Sequence, residues 1–260
     1  MLGGNKNVIL RMTLTALLLS LNIILSRTPI LSIYVTPFVR FSLGPTIVIF
    51  SSILLGPISG MIVGGVGDIL GIILYNPSGF SINPLISLTY TLLGLTPYLI
   101  YLLIKKLNKK TLFILNISLL ALIEIAITLM CVFNNEINFG GNNIYALELG
   151  IKLIIIFSSL AVLIALGVSI YFINKIFVKK NKDNTNLFYK ILFVTIICEM
   201  IFNLGLNILA KVILFEVNYF FILFPQIIIS VINIPICSFV ATYLLLLVNK
   251  IIVRKEISNE

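Results

Sequence analysis

GPISGMIVGGVGDILGIILY, residues 56–75, is a stretch long enough to cross a bilayer core as a helix, and it carries one charge, Asp68. Gly56, Gly60 and Gly64 recur at steps of four and are followed by Gly67 and Gly71. One helix face therefore offers a strip of small surfaces that neighbouring backbones can approach closely. Tight packing alone would account for that strip. Asp68 asks for more. It is the only charged residue between Arg40 and Lys105, and a carboxylate inside a membrane helix costs at least ~2.5 kcal/mol, so such groups face an interior partner or a wet cavity. Arg27 and Arg40 are the nearest opposite charges in the expected topology, which leaves Asp68 as either half of an Asp–Arg clamp or a ligand-facing group.

Outward from this stretch the chain keeps the same character. Apolar residues make up 60% of the 260, charged residues 10%, and mean hydropathy is +1.16. A soluble domain carries about 25% charged residues, so a solvated surface cannot be built from this sequence. Apolar runs lie near residues 8–26, 41–55, 57–75, 84–104, 112–133, 147–174, 188–215 and 222–248. They predict an all-α integral membrane protein of about eight transmembrane helices, forming a single integral membrane domain over 1–260. The break at Gly56-Pro57 reads either as a tight turn or as a kink within one broken helix. The first run follows Lys6 and Arg11 as a signal peptide would, but no small-residue cleavage site precedes Arg27, so a retained first helix is expected.

Charge sets the orientation. With eight spans and an inner N-terminus, fourteen Lys and Arg residues fall on the inner side and only Arg27, Arg40, Lys152 and Lys211 on the outer. Short basic loops stay cytoplasmic, so a multi-pass plasma-membrane protein with both termini in the cytoplasm is expected. The net charge of +9 is on this reading a matter of topology and not a nucleic-acid footprint. Cys131, Cys198 and Cys237 lie far apart in apolar runs and histidine is absent, which excludes a His/Cys metal site and a histidine-based triad. No metal and no cofactor are expected.

Two loops stand out. YNPSGFSINP, residues 75–84, combines turn dipeptides with Asn76, Ser78, Ser81 and Asn83 around Phe80. It reads as a plain connector or as a polar rim with an aromatic face for a small ligand. NNEINFGGNN, residues 134–143, reads as a flexible outer loop. The intramembrane acids Glu124 and Glu199 read as proton-relay groups or as acids satisfied by neighbours such as Asn116 and Asn203.

Taken together, TPFVRFS, GPISGMIVGGVGDILG, the NPSGF loop and the Ser/Thr-rich helix after it resemble the folate-specific substrate-binding (S) component of energy-coupling factor (ECF) vitamin transporters. NLGLNILAKVILF, residues 203–215, and FPQIIISVINIPICSF, residues 224–239, are similar to that family's last two helices. The resemblance covers 8–105 and 188–248, a six-helix core, and implies that 106–187 is an inserted transmembrane hairpin. The sequence departs from the family where Asn-Thr, an aromatic and a later arginine are usual: here stand Asn207-Ile208, Ala210 and Gln226.

The resemblance implies a transport subunit and not an enzyme, binding folate or a related pterin or vitamin. Its partners would be an ECF transmembrane coupling (T) subunit and two ATPase subunits. No GxxxxGK[ST] occurs, so ATP hydrolysis belongs elsewhere. On this reading Arg27 or Arg40 binds a ligand carboxylate and the segment with Asn76, Ser78 and Phe80 acts as a lid. Asp68 and Asn207 line the site, and the small pair Ala16 and Ser20 docks the first helix on its partner. The alternative is a self-contained secondary transporter of a small organic solute using Asp68, Glu124 and Glu199, although eight spans show no obvious inverted repeat.

Overall fold

Proline and asparagine punctuation sets where several helices begin. Pro45 and Pro57 occupy first-turn positions, where the missing N–H costs nothing, and the Asn83 side chain caps the helix that starts at Pro84 by accepting from Leu85 N at 2.9 Å. The computed structural model describes residues 5–28, 32–36, 39–75, 83–133, 136–138, 144–146, 149–180, 182–216 and 219–257. In chain order these form α1 (Asn5–Arg27), the two-stranded β1 (Ser32–Thr36) and β2 (Val39–Ser42), α2 (Gly44–Leu55), α3 (Pro57–Leu74) and α4 (Pro84–Ile104). There follow α5 (Lys109–Phe133), β3 (Glu136–Asn138), β4 (Ile144–Ala146) and α6 (Leu149–Lys180). α7 joins Lys182–Cys198, a π-helical Glu199–Asn207 and Ile208–Phe215, and α8 is Tyr219–Ile257. The protein is an all-α integral membrane protein. Six of its described helical stretches are long and apolar enough to span a bilayer.

Two compact units divide the chain. The first comprises the residues up to Ile33, Ser42–Lys106 and those from Ile236 onward. Within it, Ser52 and Val48 of α2 lie against Gly60 and Gly64 of α3, a pairing whose numbers run in opposite directions. Gly56-Pro57 is therefore a tight reversal. Gly56 sits at φ 97°, in the left-handed region that only glycine adopts without strain. α4 returns antiparallel to α3, with Gly94 against Gly60, Tyr90 against Gly64 and Thr91 against Gly65. α1 runs parallel to α3, its Asn22 beside Gly67 and its Arg27 beside Gly71. The glycine strip works as the sequence suggests: it removes side chains where three helices meet. The opposite face of α3, Ile58, Ile62, Val66, Ile69 and Ile73, is exposed.

α2 is only 12 residues long, about 18 Å at 1.5 Å per residue, short of the ~30 Å hydrocarbon core. The expected run 41–55 loses its first residues to β2, which explains the shortfall. Thr46 of α2 and Cys237 of α8 are joined at 2.8 Å between Oγ1 and Sγ. Within α4, Pro97 removes a backbone donor, and the N–H of Tyr98 turns aside to Ser52 Oγ at 3.2 Å.

The second unit comprises Tyr34–Phe41 and Leu107–Pro235. Its core gathers Val39, Ile208, Ile222, Leu223 and Ile229, with Phe41, Leu204 and Tyr219 packed against them. α5 meets α7 through the Phe113 and Tyr189 rings, edge to face at 5.8 Å, and through Asn116 Nδ2, which donates to Tyr189 O at 3.2 Å. Of residues 134–143, expected as a flexible loop, Glu136, Ile137 and Asn138 form a strand that pairs antiparallel with Ala146, Tyr145 and Ile144, and the others lie outside the described residues. Polar composition hid the strand, because a three-residue ladder leaves no apolar alternation to read.

Candidate functional site

Two buried side chains, from α1 and α4 of the first unit, converge on one buried carboxylate of α3. Arg27, the last residue of α1, donates from Nη2 to Asp68 Oδ1 at 2.7 Å and approaches Asp68 O at 3.4 Å. Ser87, in the first turn of α4, donates from Oγ to Asp68 Oδ2 at 3.0 Å. Arg27 is 8% exposed and Asp68 6%. Both carboxylate oxygens thus have a donor, and a charge that would be costly alone in the bilayer is neutralised and hydrogen-bonded. Gly71 lets the arginine lie across α3, because a Cβ there would meet Arg27 Nε at 2.9 Å.

One turn earlier, Asn22 Nδ2 donates to Val63 O at 2.8 Å. Val63 belongs to a π-helical stretch, Ile62–Val66, whose i→i+5 pattern leaves carbonyls out of the regular ladder. Sequence reasoning missed Asn22 and Ser87. Asn22 is an amide inside an apolar run, and that was the available signal.

Asn76, Ser78 and Phe80 lie outside the described residues. Asn83, at the end of their loop, is the α4 cap. Ala16 and Ser20 are both exposed on α1, and Ser20 Oγ donates back to Leu17 O at 2.8 Å. No described contact of the first unit brings Ala16 or Ser20 to Asp68.

In the second unit Arg40 stands on β2 and Lys211 on α7, near enough to act on each other as like charges. Asn207 ends the π-helical stretch of α7, is 5% exposed, and has no described partner for Oδ1. Gln226 is likewise buried. Glu199 accepts from Asn203 Nδ2 at 2.6 Å and from Ser230 Oγ at 2.9 Å, so Asn203 is its neighbour as the sequence allowed. Glu124 accepts from Ser159 Oγ at 2.9 Å, and Asn116 goes to Tyr189 instead.

A family model described as the substrate-specific component of the ECF transporter matches residues 10–147, more than half of the chain. The chain belongs to this family. No curated protein and no solved structure matches it. As an S component it is a multi-pass membrane subunit of a transporter that binds a small-molecule substrate, and the family implies association with T and ATPase subunits. The matched span contains the Arg27–Asp68–Ser87 network together with most of α1 and all of α2 to α5.

Proposed function

We propose that this S component captures folate, or a related pterin or vitamin, at the outer face of the plasma membrane for an ATP-driven importer. Family membership is the observation that carries the reading. The GPxxGxxxGxxxD pattern of Gly56, Pro57, Gly60, Gly64 and Asp68 turns it toward the folate type. In the second unit, Arg40 and Lys211 act on each other as like charges and would both attract a ligand carboxylate, and Asn207 Oδ1, which has no described partner, would accept from a ring amine. In the first unit, Arg27 and Asp68 join α1 to α3, and the loop of Asn76, Ser78 and Phe80 that follows α3 in sequence would serve as the lid.

Transport would be driven by one T subunit and two ATPases, with the exposed Ala16 and Ser20 of α1 docking on the T subunit. Residues 106–187 would be a transmembrane hairpin added to a core of 8–105 and 188–248, and both termini would be cytoplasmic. A binding screen of folate, pterins, thiamine and riboflavin on the detergent-purified chain tests the ligand. Co-purification with a tagged ECF coupling module tests the partners. Labelled vitamin uptake by liposomes holding this chain without any ATPase would overturn the importer reading and favour a self-contained transporter.

A further inference from the structure

Between α5, α6 and α7, within the second unit, lies a cleft of about 660 Å³. Its lining changes character along its length. Lys109 and Lys110 of α5, Asn174 of α6 and Tyr189 of α7 mark one end, whereas Leu120, Ile170 and Leu192 lie deeper. From Lys109 to Leu120 the polar-to-apolar gradient extends about 16 Å along α5 at 1.5 Å per residue. A water-soluble ligand has no use for the apolar part, and an uncharged lipid tail has none for the lysines. From this we infer that the cleft binds an anionic phospholipid, its phosphate at Lys109 and Lys110 and the upper part of one acyl chain against Leu120, Ile170 and Leu192.

Charge specifies the headgroup. Lys109 and Lys110 favour a lipid whose phosphate charge is left uncancelled, as in phosphatidylglycerol; the choline ammonium of phosphatidylcholine cancels it. Lys109 Nζ already stands 5.7 Å from the Tyr189 ring centroid, which steadies the ammonium at the mouth. Lysines at a membrane interface are where acidic lipid headgroups are met.

The cleft has a built-in means of blocking it. Gly167 of α6 lines it, and a Cβ added there meets nothing within 4 Å. Gly167→Leu should fill the cleft while leaving the helix packing intact. The test is native mass spectrometry of the full chain released from nanodiscs of equal phosphatidylglycerol and phosphatidylcholine, with thermal melting as the folding check. The wild type is expected to retain phosphatidylglycerol at least about tenfold over phosphatidylcholine. K109A/K110A should lose that preference, and Gly167→Leu should lose retained lipid with an unchanged melting temperature. Equal retention of the two lipids by the wild type, or full retention by a folded Gly167→Leu, would overturn the proposal. So would loss of the retained phosphatidylglycerol to competition by glycerol 3-phosphate alone, since that would make the site one for a soluble phosphate ester.

Discussion

Arg27 Nη2 lies 2.7 Å from Asp68 Oδ1, joining the end of α1 to the middle of α3 through a buried ion pair that Ser87 completes from α4. The two helices run parallel and are not adjacent in the chain, so no local interaction sets their relative height. The ion pair and the Asn22 to Val63 bond do so together.

Asp68→Ala leaves Arg27 charged and buried with its carboxylate gone, and removal of one partner of a buried pair costs about 3–5 kcal/mol. A marked fall in melting temperature in detergent is expected. Replacing both partners with apolar residues, Arg27→Met with Asp68→Leu, should recover most of that loss. A single Asp68→Ala that melts like the wild type would show that the pair contributes nothing to the fold.

The α3–α4 contact gives a second prediction. A Cβ on Gly60 runs into the Gly94 carbonyl, and one on Gly94 into the Gly60 backbone. Neither neighbour is a flexible side-chain end, so the backbones must part. Gly60→Ala and Gly94→Ala should each destabilise by about 1–3 kcal/mol. Gly150, in the first turn of α6, meets nothing within 4 Å, and Gly150→Ala should stay within about 0.5 kcal/mol of the wild type. Melting curves of the three variants side by side decide it, and a neutral Gly60→Ala would mean the strip is not a packing device.

Much of this architecture is legible in the sequence because the bilayer imposes one strong rule, continuous apolar length. The expected runs at 57–75 and 84–104 differ by a residue or less from α3 and α4, since Gly-Pro and Asn-Pro mark their starts. The glycine strip and the lone Asp68 pointed to the crowded, polar heart of the first unit. Its membership was less legible. Ser87 is one of many hydroxyl residues in α4, and only the antiparallel register of α3 and α4 selects it. Polar character misled at 136–138, where backbone pairing, not side-chain character, makes the strand. The π-helical stretches at Ile62–Val66 and Glu199–Asn207 leave no compositional mark at all, because they are set by the hydrogen-bond register.

Ligand recognition supplies the third prediction. A hydrogen bond to a charged group contributes about 1.5–3 kcal/mol, which is roughly 10- to 100-fold in affinity. Arg40→Ala should weaken binding of the vitamin found in the screen by that factor. Lys211→Ala should weaken it less, because an ammonium offers no bidentate fork. Calorimetry on the purified chain measures both. Unchanged affinity in Arg40→Ala would remove Arg40 from the site.

The last prediction concerns orientation. α6 is a single helix of 32 residues between Asn138 on β3 and Asp183 at the start of α7. Its stretch Lys152–Ile176 is apolar enough to span the membrane. Asn138 and Asp183 must then face opposite sides. Around Asp183 the chain carries Lys175, Lys179, Lys180, Lys182 and Lys190, whereas the segment around Asn138 has Glu136 and no basic residue before Lys152. On the charge bias, Asp183 is expected in the cytoplasm and Asn138 outside. Cys198 and Cys237 are buried, so replacing Cys131 with serine gives a background in which an introduced cysteine is the reactive one. In intact cells an impermeant maleimide should label Asn138→Cys within minutes and Asp183→Cys only after lysis. Labelling of both from one side would mean that α6 does not cross, and the eight-span topology would fall with it.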